Sequence, residues 1–186
     1  MSEIVFFLEE ASARAMLEGL LPRVLPDAPR VRYVVFDGKR DMENQLIRRM
    51  RGCRVADARF VVLRDQDSAD CREVKKALVE KCEASGRGAR SLVRIACREL
   101  ESWYLADLAA VERGLQIGGL AARQREKKYR QPDGLSNAAE ELAKLTKRQY
   151  QKVGGSRAIG PYLDVSNTRS ASFAAFVDGL KRIARS

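Results

Sequence analysis

The sequence predicts an α/β protein: a mostly parallel four-stranded sheet with helices on its faces, followed by a basic helical extension. Three observations carry that expectation. Four short apolar runs rich in Val, Ile and Phe alternate with stretches whose apolar residues recur at helical spacing, the order expected of parallel strands joined by crossover helices. Acidic residues recur where those runs end. Positive charge gathers in the last third: residues 113–186 hold 15 of the 35 Lys+Arg and 6 of the 25 Asp+Glu, or +9, leaving 20 against 19 to residues 1–112.

Ile4–Leu8 is a continuous apolar run, as a buried strand requires. Ser12 offers an N-cap to a helix with Ala13, Met16, Leu17, Leu20 and Leu21 on one face, which Pro22 should end. Val31–Phe36 is the second strand, closed by Asp37-Gly38. Asp41 is placed to cap a helix with Met42, Leu46 and Met50 inward, stopping near Gly52. Phe60–Leu63 is the third strand. Ser68 or Asp70 then caps a helix striped by Cys71, Val74, Leu78 and Cys82 and ended by Gly86 and Gly88. Ser91–Ala96 is the fourth. Right-handed crossovers follow from chain chirality. Beyond Asp107, helices are expected over Leu108–Leu115, Asn137–Leu145, Ala158–Leu163 and Ser172–Ala184, with Gly154-Gly155 as a turn. The expected division is a core of residues 1–112 and a helical extension of residues 113–186 packed on it as a single unit.

In sheets of this kind function collects at the carboxyl ends of the strands. Glu9, Glu10, Asp37, Asp65 and Asp67 all fall there, and Glu99 and Glu101 follow the fourth strand. Asp65 and Asp67 are two apart, so in extended chain they point the same way, about 6–7 Å apart. Two carboxylates so placed repel, and a hard divalent cation relieves the repulsion. The chain has no histidine, which excludes Ser-His-Asp and Cys-His nucleophile systems and His-ligated zinc. Four cysteines lack C-x-x-C spacing, so a zinc site is not expected. With no apolar run near the ~18 residues of a spanning helix and no charged leader pattern, a cytoplasmic, reducing setting is expected.

A strand ending in Glu9 (Phe7-Leu-Glu-Glu-Ala-Ser12) and a later strand ending in Asp65-Gln66-Asp67 resemble the Rossmann-like Toprim fold, the metal-binding catalytic domain of topoisomerases, primases and overcoming-lysogenization-defect nucleases. The phrases Phe36-Asp-Gly-Lys39, Asp65-Gln-Asp-Ser-Ala-Asp-Cys71, Glu99-Leu-Glu-Ser-Trp-Tyr-Leu-Ala-Asp107 and Asn167-x-x-Ser-x-Ser-Phe173 look like a large uncharacterised Toprim-like bacterial family, often encoded beside ABC-type ATPases. The resemblance spans roughly residues 3 to 177. It implies a Mg²⁺- or Mn²⁺-dependent phosphoryl-transfer centre: Asp65 and Asp67 on the ion, Glu9 completing the shell or accepting a proton from water, Lys39 steadying a phosphate, and Glu99 or Glu101 on a second ion. Glu10 and Asp70 are nearby candidates. No phosphate-binding glycine loop of the G-x-x-x-x-G-K-[ST] kind is present, so ATP hydrolysis would belong to a partner.

Plainer readings stand beside these. Asp65 and Asp67 can be a helix cap and a surface acid next to Arg64; Glu9 can pair with an arginine; Lys39 can be a solvated turn residue; Glu101 can be a structural rim carboxylate, with Trp103 and Tyr104 packed on the sheet. Arg123, Arg125, Lys127, Lys128, Lys147, Arg148 and Lys152 are candidates for contacting DNA or RNA phosphates, with Tyr129 and Tyr150 available for base stacking, or they are an ordinary solvated surface. The expected function is metal-dependent nucleic-acid cleavage in defence or DNA processing. The rivals are a non-catalytic adaptor, binding nucleic acid or an ATPase, and a different phosphoryl-transfer enzyme: a small-molecule phosphohydrolase or a nucleotidyl transferase.

Overall fold

The computed structural model describes residues 3–27 and 30–185. Its four strands, β1 (Glu3–Leu8), β2 (Arg30–Val35), β3 (Ala58–Asp65) and β4 (Ser91–Ala96), form one all-parallel sheet in the order β2-β1-β3-β4. The connections are α1 (Ala11–Val24), α2 (Gly38–Arg51) and α3 (Cys71–Ala84). The chain leaves β1 toward β2 on one side and returns to place β3 on the other. That reversal puts the topological switch point between β1 and β3, and in open α/β sheets ligands bind at the carboxyl edge of such a point.

Strand alternation divides the core in two. Ile4, Phe6 and Leu8 share one cluster with α1 and the C-terminal helices, while Val5 and Phe7 share the other with α2 and α3. Six consecutive buried residues make β1 a strand covered on both faces. The C-terminal helices are α4 (Glu101–Leu105), α5 (Leu108–Leu115), α6 (Ala138–Leu145), α7 (Lys152–Ile159) and α8 (Ala171–Arg185), with short 3₁₀ turns between them. Tyr129, Leu142, Ile159, Phe173 and Phe176 lie in the same cluster as Ile4 and Phe6, so residues beyond 113 help build the core.

Several local expectations are corrected. Helix α1 begins at Ala11 with Glu10 at the N-cap, and Ser12 is buried inside the first turn. Pro22 lies within α1, which runs on to Val24: a proline near the end removes one backbone donor, and the Leu25 N–H still closes on the Leu21 carbonyl at 2.8 Å. Helix α2 begins at Gly38, and Asp41 accepts from the Asp37 N–H at 3.1 Å from within the first turn. Gly154 and Gly155 are helical, inside α7. Gly155 is needed there because a Cβ would enter the ring of Tyr150. The segment expected to be a helix over Ala158–Leu163 is the end of α7 and a 3₁₀ turn at Gly160–Tyr162.

Candidate functional site

Glu9 follows β1 and Asp65 ends β3, on the two strands that flank the switch point. The Glu9 carboxylate accepts the Asp65 backbone N–H at 3.2 Å. The Arg64 guanidinium stands 3.7 Å from the same oxygen and donates to Glu43 at 2.6 Å. Backbone pairing continues past the strand: the Glu9 carbonyl accepts the Gly38 N–H at 3.1 Å, tying the loop before Lys39 to this edge.

Three carboxyl groups here are pushed above their ordinary range. Burial raises Glu9 first, with the Asp67 charge adding to it and Arg64 opposing. Burial raises Asp65 well above 3.8, and the neighbouring charges of Glu101 and Glu9 push the same way. Burial raises Glu101 as well, against the Tyr150 hydroxyl, which donates to it at 2.8 Å. Glu101 is 1% exposed and its second oxygen has no hydrogen-bond partner. Like charges held together in a poorly hydrated recess are thus only partly compensated.

The other candidates divide clearly. Asp67 sits at φ 57°, the left-handed region, with its N–H on the Arg98 carbonyl at 2.8 Å; its carboxylate pairs with Lys39 at 3.0 Å. Lys152, at the start of α7, pairs with Glu10 at 2.5 Å. Burial draws the Lys152 pKa down, but the Glu10 hydrogen bond and the charges of Glu10, Glu101 and Asp65 outweigh it, for a net rise. It therefore belongs to the carboxylate rim. Asp70 caps α3, accepting from the N–H groups of Arg72 and Glu73. Glu99 accepts the Ala139 N–H at 2.7 Å, at the start of α6.

On the basic surface, Arg123 pairs with Glu126 and Lys128 with Glu141, whereas Arg125, Lys127, Lys147 and Arg148 are exposed and form no ion pair among the described residues. The stacking expectation is corrected: Tyr129 is 0% exposed and donates to Glu141, and Tyr150 is 8% exposed beneath Glu101. A tyrosine flanked by lysines looks available in sequence, yet its ring is apolar area and goes into the core.

Residues to which sequence reasoning gave no functional role fasten the helices that follow Glu101. Trp103 packs on Phe173 and Phe176 and donates to the Ser172 hydroxyl at 2.8 Å, which also accepts the Cys97 N–H. Asp107 caps α5 and accepts the Asp164 N–H; Asn167 donates to the Ala106 carbonyl; Asp133 receives Ser170 and Ser172. The quoted phrases around Glu101 and Asn167 thus contain a polar clasp fastening the helices behind the rim. The signal available in sequence was the density of Ser, Asn and Asp, which serve as caps and turns.

The donor set suits a hard divalent cation: Glu9, Asp65 and Glu101 supply oxygens, one buried oxygen lacks a partner, and negative charge exceeds positive. Among the described residues, no three Cys, Asp or Glu side chains stand together as a ready-made ligand group. The carboxylates converge electrostatically without closing into a cage. Nor is any described helix long and apolar enough to cross a membrane.

Solved structures share the architecture. The C-terminal region of the Burkholderia pseudomallei OLD protein superposes with a TM-score of 0.54 at 17% identity, covering 97% of this chain and 98% of that one. The corresponding region of the Xanthomonas campestris pv. campestris OLD protein gives 0.52 at 14% identity, covering 98% and 96%. The α/β fold is therefore Toprim-like, as the Glu and Asp-x-Asp pattern implied. No curated protein matches the chain. The family model described as a domain of unknown function, DUF4276, matches residues 8–181, and the chain belongs to that family.

Proposed function

We propose that the chain is a metal-dependent phosphodiesterase of the Toprim type, acting on nucleic acid. One observation carries this reading: Glu9, Asp65 and Glu101 lie at the switch point with their pKa values raised by burial, and the charges of Glu101 and Glu9 raise Asp65 further. Carboxyl groups perturbed by burial and by specific charged neighbours are candidates for a functional site. Mg²⁺ or Mn²⁺ bound there would polarise the phosphate and lower the pKa of an attacking water. Asp65, Glu101 and Asp67 would hold it, Asp67 by exchanging its contact with Lys39.

Glu9 is the group to accept the water's proton, because its raised pKa makes it a better base and the Asp65 N–H fixes one of its oxygens. Lys39, paired with Asp67, and Lys152, paired with Glu10, are ammonium groups that can hold phosphate oxygens once they leave those acidic partners. Arg125, Lys127, Lys147 and Arg148 would meet the polynucleotide backbone without reading sequence. Coupling to ATP would come from a separate ABC-type ATPase.

Plasmid and single-stranded RNA, incubated with Mn²⁺ or Mg²⁺ with and without EDTA, test this reading. Cleavage that EDTA stops and that Asp65→Asn reduces by at least about a hundredfold supports it. Metal-independent cleavage, or full activity in a folded Asp65→Asn protein, rules it out. A second reading is a non-catalytic Toprim-like adaptor. It is favoured by the Lys39–Asp67 pair and by the lack of a preformed ligand group among the described residues. Under that reading Mn²⁺ leaves the melting temperature unchanged, because an ion with no site adds no stability.

A further inference from the structure

The opposite edge of the sheet carries a cavity of about 690 Å³, formed where the amino-terminal ends of β3 and β4 meet the last turns of α8. The length of β3 separates it from Asp65, on the order of 20 Å. Its charge is the reverse of the carboxylate rim. Arg59, Arg90 and Arg182 line it, and Asp57 is its one acidic lining residue. Asp57 is well exposed and reaches Arg90 only at 3.9 Å, so it compensates little of that charge.

The guanidinium groups are held rather than loose. Arg59 donates to the Ala184 carbonyl at 3.0 Å, and Arg90 donates to the Ala56 carbonyl. Each bond uses one N–H of a five-donor fork. Arg94 lies against the same wall, donating to the Ala175 carbonyl, and its pKa is lowered first by burial and then by the charge of Arg182. Gly179 borders the recess: a Cβ there would stand 2.8 Å from Arg94 Nη2 and 2.9 Å from Leu92 Cδ2, so the ends of those two side chains would have to shift. Leu92 and Ile183 add apolar wall.

We propose that this arginine-lined cavity binds a phosphate-bearing small molecule of nucleotide size, at a site separate from the carboxylate rim. Guanidinium forks from three elements converge on a recess, and planar forks match phosphate oxygens two at a time. The volume falls in the range of small-ligand sites, and the mixture of apolar wall with a few fixed donors is what such sites use for orientation. A concave recess takes a compact anion more readily than the convex backbone of a duplex. The assignment is independent of whether the carboxylate rim cleaves phosphodiesters.

Calorimetric titration of the full chain with ADP, without divalent metal, tests the site, with inorganic phosphate and a short single-stranded oligonucleotide as parallel arms. The expected result is saturable ADP binding that Arg90→Glu with Arg182→Glu weakens by at least about tenfold, and that Asp65→Asn retains. If the double variant does not fold, Arg90→Gln alone should still weaken binding measurably, and a crystal soaked with ADP should show the phosphates among these arginines. Absence of saturable ADP binding overturns the proposal, as does binding that the arginine changes leave intact. Inorganic phosphate binding as tightly as ADP reduces the cavity to a bare anion site. An oligonucleotide that displaces ADP and depends on the same arginines makes it a polynucleotide track; either result overturns the assignment.

Discussion

The two edges of one sheet carry opposite chemistry. At the carboxyl edge Glu9, Asp65 and Glu101 crowd together, with Arg64 opposing the Glu9 charge and Lys152 the other two. At the amino edge of β3 and β4 three arginines line a cavity with Asp57. Farther along that same amino edge the charges are matched, since buried Glu3 lies 3.2 Å from Arg32. The contrast teaches where charge is left over. Parallel strands deliver all their carboxyl ends to one side, so acids placed after strands accumulate there, and folding alone supplies too few cations to neutralise them.

Three perturbations break or sharpen that contrast. The largest effect is expected for Arg64→Met, which leaves Glu9 buried without its guanidinium. Stability should fall by about 3 kcal/mol, a drop in melting temperature of roughly 6–12 °C. The loss should shrink as pH falls and Glu9 takes up a proton; an unchanged melting temperature at pH 8 would show that the rim is not short of positive charge.

Asp65→Asn works in the opposite direction. The folded protein holds Asp65 above its ordinary 3.8, so the native state binds the proton more tightly than the unfolded chain. Native stability from this group is therefore present below about pH 4 and is lost as pH rises toward the folded pKa. The amide removes that cost, so the variant should be more stable by about 1 kcal/mol at pH 7 and show no gain near pH 4. Thermal melts across pH 4 to 8 measure it; a destabilised variant at pH 7 would mark Asp65 as a structural acceptor.

The smallest effect is for Lys39→Ala. The pair with Asp67 is exposed on both sides, so stability should change by less than about 0.5 kcal/mol. Mn²⁺ should then raise the melting temperature more in the variant than in the parent protein, because Asp67 no longer has to exchange a partner. Equal shifts would place Asp67 outside the ion's reach.

Much of the fold was legible in sequence because its signals are local. Continuous apolar runs mark strands buried on both faces, as β1 and β3 are, and helical stripes such as Met42-Leu46-Met50 name their own buried face. The candidate site was legible in part, since residues just after strands in an alternating order must share one edge. Pairings across the chain were not. Glu99 on the Ala139 N–H, Lys152 on Glu10 and Tyr150 on Glu101 join residues forty or more positions apart, and no spacing rule relates them.

Sequence by itself determined the strand and helix order, the acidic carboxyl edge and the exclusion of histidine chemistry, because periodicity and composition act within a few residues. Tertiary structure alone decided which acids lie near a cation, which tyrosines are core, and that arginines from β3, the 88–90 turn and α8 line one cavity. Those outcomes depend on which surfaces meet when two faces of a sheet are covered, and burial, the force that selects them, has no direction along the chain.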